Sequence, residues 1–303
     1  MKKVITLVAS IIIITTALNA QNDFLVSQFM LNPLSFSPAY CGKGPDINVA
    51  LIARQQWVGF DGAPSTQIFN IDAKIFKRHG IGLSVFNDML GSEKSINVKL
   101  MYAYHIKITH TANLSVSAGI GLLNRTLDDS KIKFDPKHSQ DVKEFDLPSS
   151  LIANFDFGLL FYTPRLSVGL SSKYLDKGID GSTFAKHPRH YYMMADYRFT
   201  LNDKFDLIPS VLVRSTLYAT QFEVNLNLHW KNKVWGGLSY RSWDQAVIMA
   251  GLFIKNIKVG YAFDYSFGPL FGKNVGSHEI FVSYCFNFFR GAKIYMKNPR
   301  MFN

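Results

Sequence analysis

Residues 222–230 read Phe-Glu-Val-Asn-Leu-Asn-Leu-His-Trp, and their alternation decides the fold. Phe222, Val224, Leu226, Leu228 and Trp230 form one apolar set, with Glu223, Asn225, Asn227 and His229 between them. Successive side chains leave a strand on opposite sides, so a two-residue period marks a strand whose faces meet different surroundings. The pattern recurs in both directions along the chain. Leu114, Val116, Ala118, Ile120 and Leu122 alternate with Ser115, Ser117, Gly119 and Gly121. Ile257, Val259, Tyr261, Phe263 and Tyr265 alternate with Lys258, Gly260, Ala262 and Asp264. One face is apolar and aromatic; the other is small or polar.

A soluble β-sandwich also alternates, so further features must discriminate. These segments run for about 10 to 14 residues, whereas soluble strands centre on roughly 5 to 6 and a tilted membrane strand needs about 9 to 11. Aromatic residues crowd the segment ends, at Phe161 and Tyr162, Trp230 and Trp235, Trp243, and Phe288 and Phe289, in the manner of interfacial girdles. From Ile47 to Phe289 there are about 14 such segments, an even number that lets both ends of the barrel chain lie on one side of a membrane. Alternate connections are short: Lys77 to His79, Thr109 to Thr111, Thr163 to Arg165, Asn202 to Lys204, Lys231 to Lys233, and Lys255 to Asn256. The longer ones, Thr126 to Ser149, Asp176 to Pro188 and Gly268 to Gly276, all fall in the other class. Short periplasmic turns and long extracellular loops segregate in this way in an outer-membrane barrel, and a sandwich has no reason to do the same. The fold expected is all-β: a transmembrane, antiparallel, up-and-down β-barrel over residues 47–290.

The flanking segments fit that location. Lys2 and Lys3 precede an apolar run, Val4 to Ala9 and Ile11 to Ile14, that closes on small or polar residues through Ala20. This is the pattern of a secretory signal peptide over residues 1–20, cleaved on export to the outer membrane. Beyond it no comparable apolar stretch occurs, although 48% of the residues are hydrophobic, which excludes a helical inner-membrane protein. The net charge of +11 is spread over turns and strand ends without a cluster, so no nucleic-acid partner is expected. The two cysteines, Cys41 and Cys285, fall near the seam where first and last strands meet, and a disulfide across it is feasible.

A barrel of this width cannot fill its lumen with strand side chains alone, since about 8 strands already reach that limit. Residues 21–46 are expected to serve as a plug in the lumen or against its periplasmic mouth, because Phe29, Met30, Leu31, Leu34 and Phe36 need burial and have no strand partner. Residues 291–303 form a periplasmic tail in the same reading.

The plug segment carries Ser27-Gln28-Phe29-Met30-Leu31-Asn32-Pro33-Leu34 and then Ser37-Pro38-Ala39-Tyr40-Cys41-Gly42. Further on come Arg54-Gln55-Gln56-Trp57-Val58-Gly59-Phe60-Asp61-Gly62-Ala63-Pro64, Phe86-Asn87-Asp88 with Gly91, Gly260-Tyr261-Ala262-Phe263-Asp264, and Asn298-Pro299-Arg300. In order and spacing these motifs resemble the PorP/SprF family of type IX secretion system membrane proteins, with Ser37 and Cys41 where the family usually has Asn and Ala. The resemblance covers nearly the whole chain after residue 20. It implies a non-enzymatic outer-membrane component that helps export and retain large surface cargo, including gliding adhesins, and that contacts secretion components of the periplasm or outer membrane.

Three groups of residues are expected to matter. Phe29, Met30, Asn32, Pro33, Pro38 and Tyr40 belong to the plug. Arg54, Glu223, Arg241 and Asp264 are read as a polar network facing the lumen. Trp57, Phe60 and Asp61 lie on a glycine-rich corner, where aromatics beside charge suit partner binding and the same residues also suit turn chemistry with Trp57 as an interfacial anchor. Phe134, Phe145 and Phe184 extend the partner-binding set onto the two long loops, whose mixed charge argues against an anion trap. His278-Glu279 lacks the two-histidine spacing of a zinc protease, and neighbouring strand residues point apart, so neither metal nor cofactor is expected. No nucleophile motif is present to nominate an enzyme. The rival reading is a general diffusion porin, or small-solute channel.

Overall fold

The computed structural model describes residues 24–44, 46–128, 150–175, 188–216, 218–231, 233–242, 245–267 and 275–286. The expected signal peptide and tail, together with Phe134, Phe145, Phe184, Trp243, Phe288 and Phe289, lie outside the described residues.

Fourteen strands follow one another around a single sheet: β1 (Ile47–Gln55), β2 (Ser65–Phe76), β3 (His79–Leu90), β4 (Glu93–Lys107), β5 (Asn113–Leu127), β6 (Ser150–Tyr162), β7 (Leu166–Lys173), β8 (His190–Tyr197), β9 (Phe205–Ser215), β10 (Thr220–Trp230), β11 (Val234–Arg241), β12 (Gln245–Ile254), β13 (Ile257–Ser266) and β14 (Ser277–Phe286). β8 breaks at Arg198 and resumes as Phe199–Thr200 beside β9. Each strand pairs antiparallel with its sequence neighbour, and β1 returns to β14 along its whole length, Ile47 opposite Phe286 and Gln55 opposite His278. The sheet is thus a closed antiparallel barrel. Closure is what hydrocarbon demands, because an edge strand would leave backbone groups with neither water nor a partner. Lengths vary more than the alternation implied, from 8 residues in β7 to 15 in β4 and β5.

The alternation converts directly into two faces. Leu51, Leu100, Ile120, Leu122, Leu226, Leu238, Ile248 and Ile280 point outward and are exposed. Asn70, Asn97, Asn154, Asn225, Asn227 and Ser283 point inward and are buried. Such a body is inside-out for water and correct for lipid. Among the described residues no helix is long and apolar enough to cross a membrane; the strands do the crossing. Two-residue turns such as Lys255-Asn256 close one end, with Lys255 at φ 54°, in the left-handed region that tight hairpins favour. The opposite end carries the long connections. These are the short-turn and long-loop ends below.

Two expectations need correction. Trp235 does not belong to an outer girdle: it is 1% exposed, faces inward opposite His229, and packs over Gly251 and Gly260. The turn between β10 and β11 puts it on the opposite face from Trp230, and the two glycines vacate the space its indole fills. The seam carries no disulfide either. Both cysteines are free: Cys285 donates its thiol to Asn48 Oδ1 at 3.3 Å, while Cys41 sits against Gly82 on the β3 side.

Candidate functional site

Residues 24–44 run through the lumen from the long-loop end to the short-turn end, and each part is held by different chemistry. At the long-loop end the holding is ionic. Arg54 is the last residue but one of β1, Arg241 ends β11, Glu223 lies early in β10, Asp264 late in β13 and Glu279 early in β14, all inward and buried. Arg54 Nη2 donates to Asp264 Oδ2 at 2.8 Å and its Nη1 to Glu279 Oε2 at 3.2 Å. Arg241 Nη1 donates to Asp264 at 3.0 Å and its Nε to Glu223 at 2.8 Å, while Arg214 stands 3.6 Å from Glu223. Three guanidinium groups thereby meet three carboxylates. Charges this deep are tolerable only when paired and hydrogen-bonded on most of their capacity.

The segment completes that network. Ser27 Oγ donates to Asp264 at 2.8 Å and accepts from both Arg54 and Arg241 at 2.9 Å. The backbone N–H groups of Ser27 and Gln28 donate to the two oxygens of Glu279, at 2.7 and 2.8 Å. Arg214 Nη1 donates to the carbonyl of Phe24 at 3.2 Å. Lys173 places its ammonium 4.6 Å from the Phe24 ring centre and 5.3 Å from that of Tyr192, within cation–π range.

Halfway down, the holding is by shape and by amide bonds. Pro33–Ser35 and Pro38–Tyr40 form two 3₁₀ turns, each opened by a proline whose fixed φ suits the first turn position. Ser37 caps the second by accepting from the N–H of Ala39 at 3.3 Å. Asn70 of β2 donates to Asn32 Oδ1 at 2.9 Å and to Ser35 Oγ at 2.8 Å. Phe24, Val26, Phe29, Leu34, Phe36, Ala39 and Tyr40 form an apolar core with Ile52, Ile68, Leu160 and Leu212 of the wall.

At the short-turn end the chain approaches the wall closely. A Cβ on Gly80 would lie 2.1 Å from the carbonyl oxygen of Cys41, so only glycine fits there. His105 Nε2 donates to that carbonyl at 2.8 Å, Gly42 N–H donates to Asp72 at 2.9 Å, and Lys43 Nζ donates to Ser167 at 2.6 Å.

The residues singled out in the sequence fall as follows. Arg54, Glu223, Arg241 and Asp264 come together in one cluster. Phe29, Asn32, Pro38 and Tyr40 are buried in the lumen, while Met30 and Pro33 are half-buried. Trp57, at φ 42°, is half-buried and donates its N–H to Ser277 Oγ at 3.1 Å. Phe60, 50% exposed, and the exposed Asp61 stand on the rim. That corner is braced by Val58 N–H to the carbonyl of Gly276 at 2.8 Å and Val275 N–H to that of Val58 at 2.9 Å. Ser27, Gln28, Arg214 and Glu279 were missed as members of the ionic cluster. Strand parity was the available signal for Glu279: it points inward, while its neighbour His278 points out to Tyr261 at 2.6 Å. Among the described residues no group of His, Cys, Asp and Glu is placed to hold a metal ion.

The sequence profile of a family described as "Type IX secretion system membrane protein PorP/SprF" matches residues 18–284. A comparison with curated proteins found no match. Among solved structures, the toluene transporter TbuX of Ralstonia pickettii is similar at a TM-score of 0.50 and 9% identity, over 83% of this chain and 92% of that one. The CymD monoaromatic hydrocarbon channel is similar at 0.50 and 11% identity, over 89% and 95%. At such identities the likeness speaks for the barrel fold alone.

Proposed function

This chain belongs to the PorP/SprF family of type IX secretion system membrane proteins, and from that premise we propose that it is a plugged docking barrel for exported surface cargo. In this reading the short-turn end faces the periplasm, where components of the secretion machinery have access to it. The long-loop rim faces outward and retains a specific cargo, such as a gliding adhesin.

The observation that carries the reading is the path of residues 24–44 through the lumen, bonded to the wall along its length. An open diffusion channel has no use for a segment held by three arginines, two carboxylates and a shared apolar core. A docking barrel does, because the plug keeps the membrane sealed and stiffens the rim through the strands it grips. Phe60 and Asp61 suit the contact itself: they stand exposed on a braced corner, and an aromatic on a rigid support loses little entropy on binding.

Two measurements test the proposal together. In planar bilayers the purified protein is expected to pass no steady current; a stable open channel supports the porin reading instead. In cells, replacing Phe60 and Asp61 by Ala is expected to leave barrel insertion intact while cargo moves from the surface to the medium. Cargo that stays attached in that variant puts the contact elsewhere.

A further inference from the structure

Closure of the barrel gathers at one end charges that are dispersed along the sequence. Six hairpins form the short-turn end, and each carries an exposed cation: Arg78 between β2 and β3, Lys107 at the end of β4, Arg165 between β6 and β7, Lys204 before β9, Lys233 between β10 and β11, and Lys255 between β12 and β13. The turns of these hairpins contain one carboxylate, Asp203. Among the described residues none of the six cations is in an ion pair. Carboxylates deeper in the lumen are already engaged: Asp72 accepts the N–H of Gly42 at 2.9 Å, and Asp206 faces Arg198 at 3.8 Å.

The cations lie on the lumen side of the wall. Lys107 follows His105 by two positions, and His105 reaches inward to the carbonyl of Cys41. The carbonyl of Arg165 accepts from the N–H of the buried Arg198 at 2.8 Å, so Arg165 stands opposite it on the same face. Lys204 precedes Asp206 by two positions, and Asp206 meets Arg198 within the lumen. The carbonyl of Lys233 accepts from the N–H of Phe253 at 2.8 Å, and Phe253 packs on the inward cluster around Trp235. On the outside at this level the wall is apolar. Ile106, Val234 and Ile254, the chain neighbours of Lys107, Lys233 and Lys255, are exposed there. A lipid beside the barrel meets that apolar face, whereas a body seated across the mouth meets the cations.

Fourteen strands tilted near 40° give a mouth about 28 Å wide, too broad for one extended peptide to touch all six hairpins. The chain beyond β14 supplies no counter-charge, since residues 287–303 hold Arg290, Lys293, Lys297 and Arg300 and no Asp or Glu. A ring of one sign around such an opening focuses the field and draws in the opposite charge. We infer that this ring is the docking surface for a folded periplasmic protein with a carboxylate-rich face, seated across the mouth. The inference rests on the docking reading above, which places this end in the periplasm, and gives the chemistry by which a secretion component is recognised there.

Photo-crosslinking in cells, on the full chain, tests it. Lys107→p-benzoylphenylalanine is expected to capture a periplasmic protein, and Ile106→p-benzoylphenylalanine, on the lipid-facing side, to capture none. Arg165→Glu, Lys204→Glu and Lys233→Glu together are expected to cut the Lys107 crosslink at least about tenfold with the barrel still heat-modifiable, while Arg165→Lys, Lys204→Arg and Lys233→Arg keep it. Changing acidic residues on the partner's crosslinked face to Lys is expected to restore the crosslink to the Glu variant. Should the Glu variant fail to assemble, Arg165→Gln, Lys204→Gln and Lys233→Gln are expected to cut it at least about threefold. A crosslink to lipid alone or to nothing, one that survives charge reversal, or one lost in the charge-conserving variant overturns the proposal. Labelling of Lys204→Cys on whole cells by a membrane-impermeant maleimide puts this end outside and overturns it as well. If the crosslink and its charge dependence stand but deleting the chain releases no surface protein, cargo docking falls and the ring keeps its partner.

Discussion

Glu279→Ala isolates the ionic latch of the plug. Glu279 is fully buried, accepts the N–H groups of Ser27 and Gln28, and pairs with Arg54. Alanine leaves two buried N–H groups without acceptors, at roughly 1 to 3 kcal/mol each. It also leaves three arginines, Arg54, Arg214 and Arg241, facing two carboxylates, Glu223 and Asp264. Arg54 keeps its contact with Asp264, so the ionic part of the loss stays at the lower end of the roughly 3 to 5 kcal/mol for breaking a buried pair. The two costs overlap, giving about 3 to 5 kcal/mol in total. The strain is relieved when residues 24–30 swing out and their amides regain water, whereas the β1–β14 ladder uses backbone bonds that the substitution leaves alone. The energy therefore appears as local opening. At 1.4 kcal/mol per tenfold, 3 kcal/mol raises the opening equilibrium about a hundredfold. The assay is hydrogen exchange at Leu31, whose N–H bonds to the carbonyl of Gln28 and not to Glu279, together with bilayer conductance. Faster exchange at Leu31 and transient current are expected, with Glu279→Gln intermediate because it retains one acceptor. Unchanged exchange and silent bilayers would refute the latch.

Deleting residues 24–38 is expected to open a measurable pore and lower the temperature of heat-modification on gels; a sealed and equally stable barrel contradicts the plug. Gly80→Ala forces a methyl group into the Cys41 carbonyl and is expected to cost about 1 to 3 kcal/mol, read as a lowered unfolding temperature. Gly44→Ala, with open space around it, serves as the neutral control, and equal effects of the two argue against close seating at the short-turn end. Cys41 and Cys285 are expected to resist a maleimide in the folded protein and to react fully after denaturation without reductant. A Cys41–Cys285 peptide in a non-reduced digest would contradict the free thiols.

Much of this architecture was legible because strand parity is local. Whether a residue of β10 faces lipid or lumen depends on its neighbours one and two positions away, so Phe222 to Trp230 already state both faces. Alternating loop lengths then place the two ends, and closure follows from the intolerance of hydrocarbon for free amides. Where parity must be carried across a turn the reading weakens. Trp235 looked like a girdle residue beside Trp230, yet the turn between them placed it inside, on space left by Gly251 and Gly260.

The sequence by itself determined the class of fold, the family, and the inward direction of Arg54, Glu223, Arg241 and Asp264, since each of these follows from local alternation or from ordered motifs. The tertiary structure alone decided the partners. Ser27 meets Glu279 across 252 positions and Arg241 across 214, and no local pattern encodes which inward residues share a level in the lumen. That depends on the register of every intervening strand pair and on the depth to which residues 24–44 enter. Both are set by the summed fit of backbone ladders, glycine gaps and buried charge, and take a definite value only when the barrel has closed.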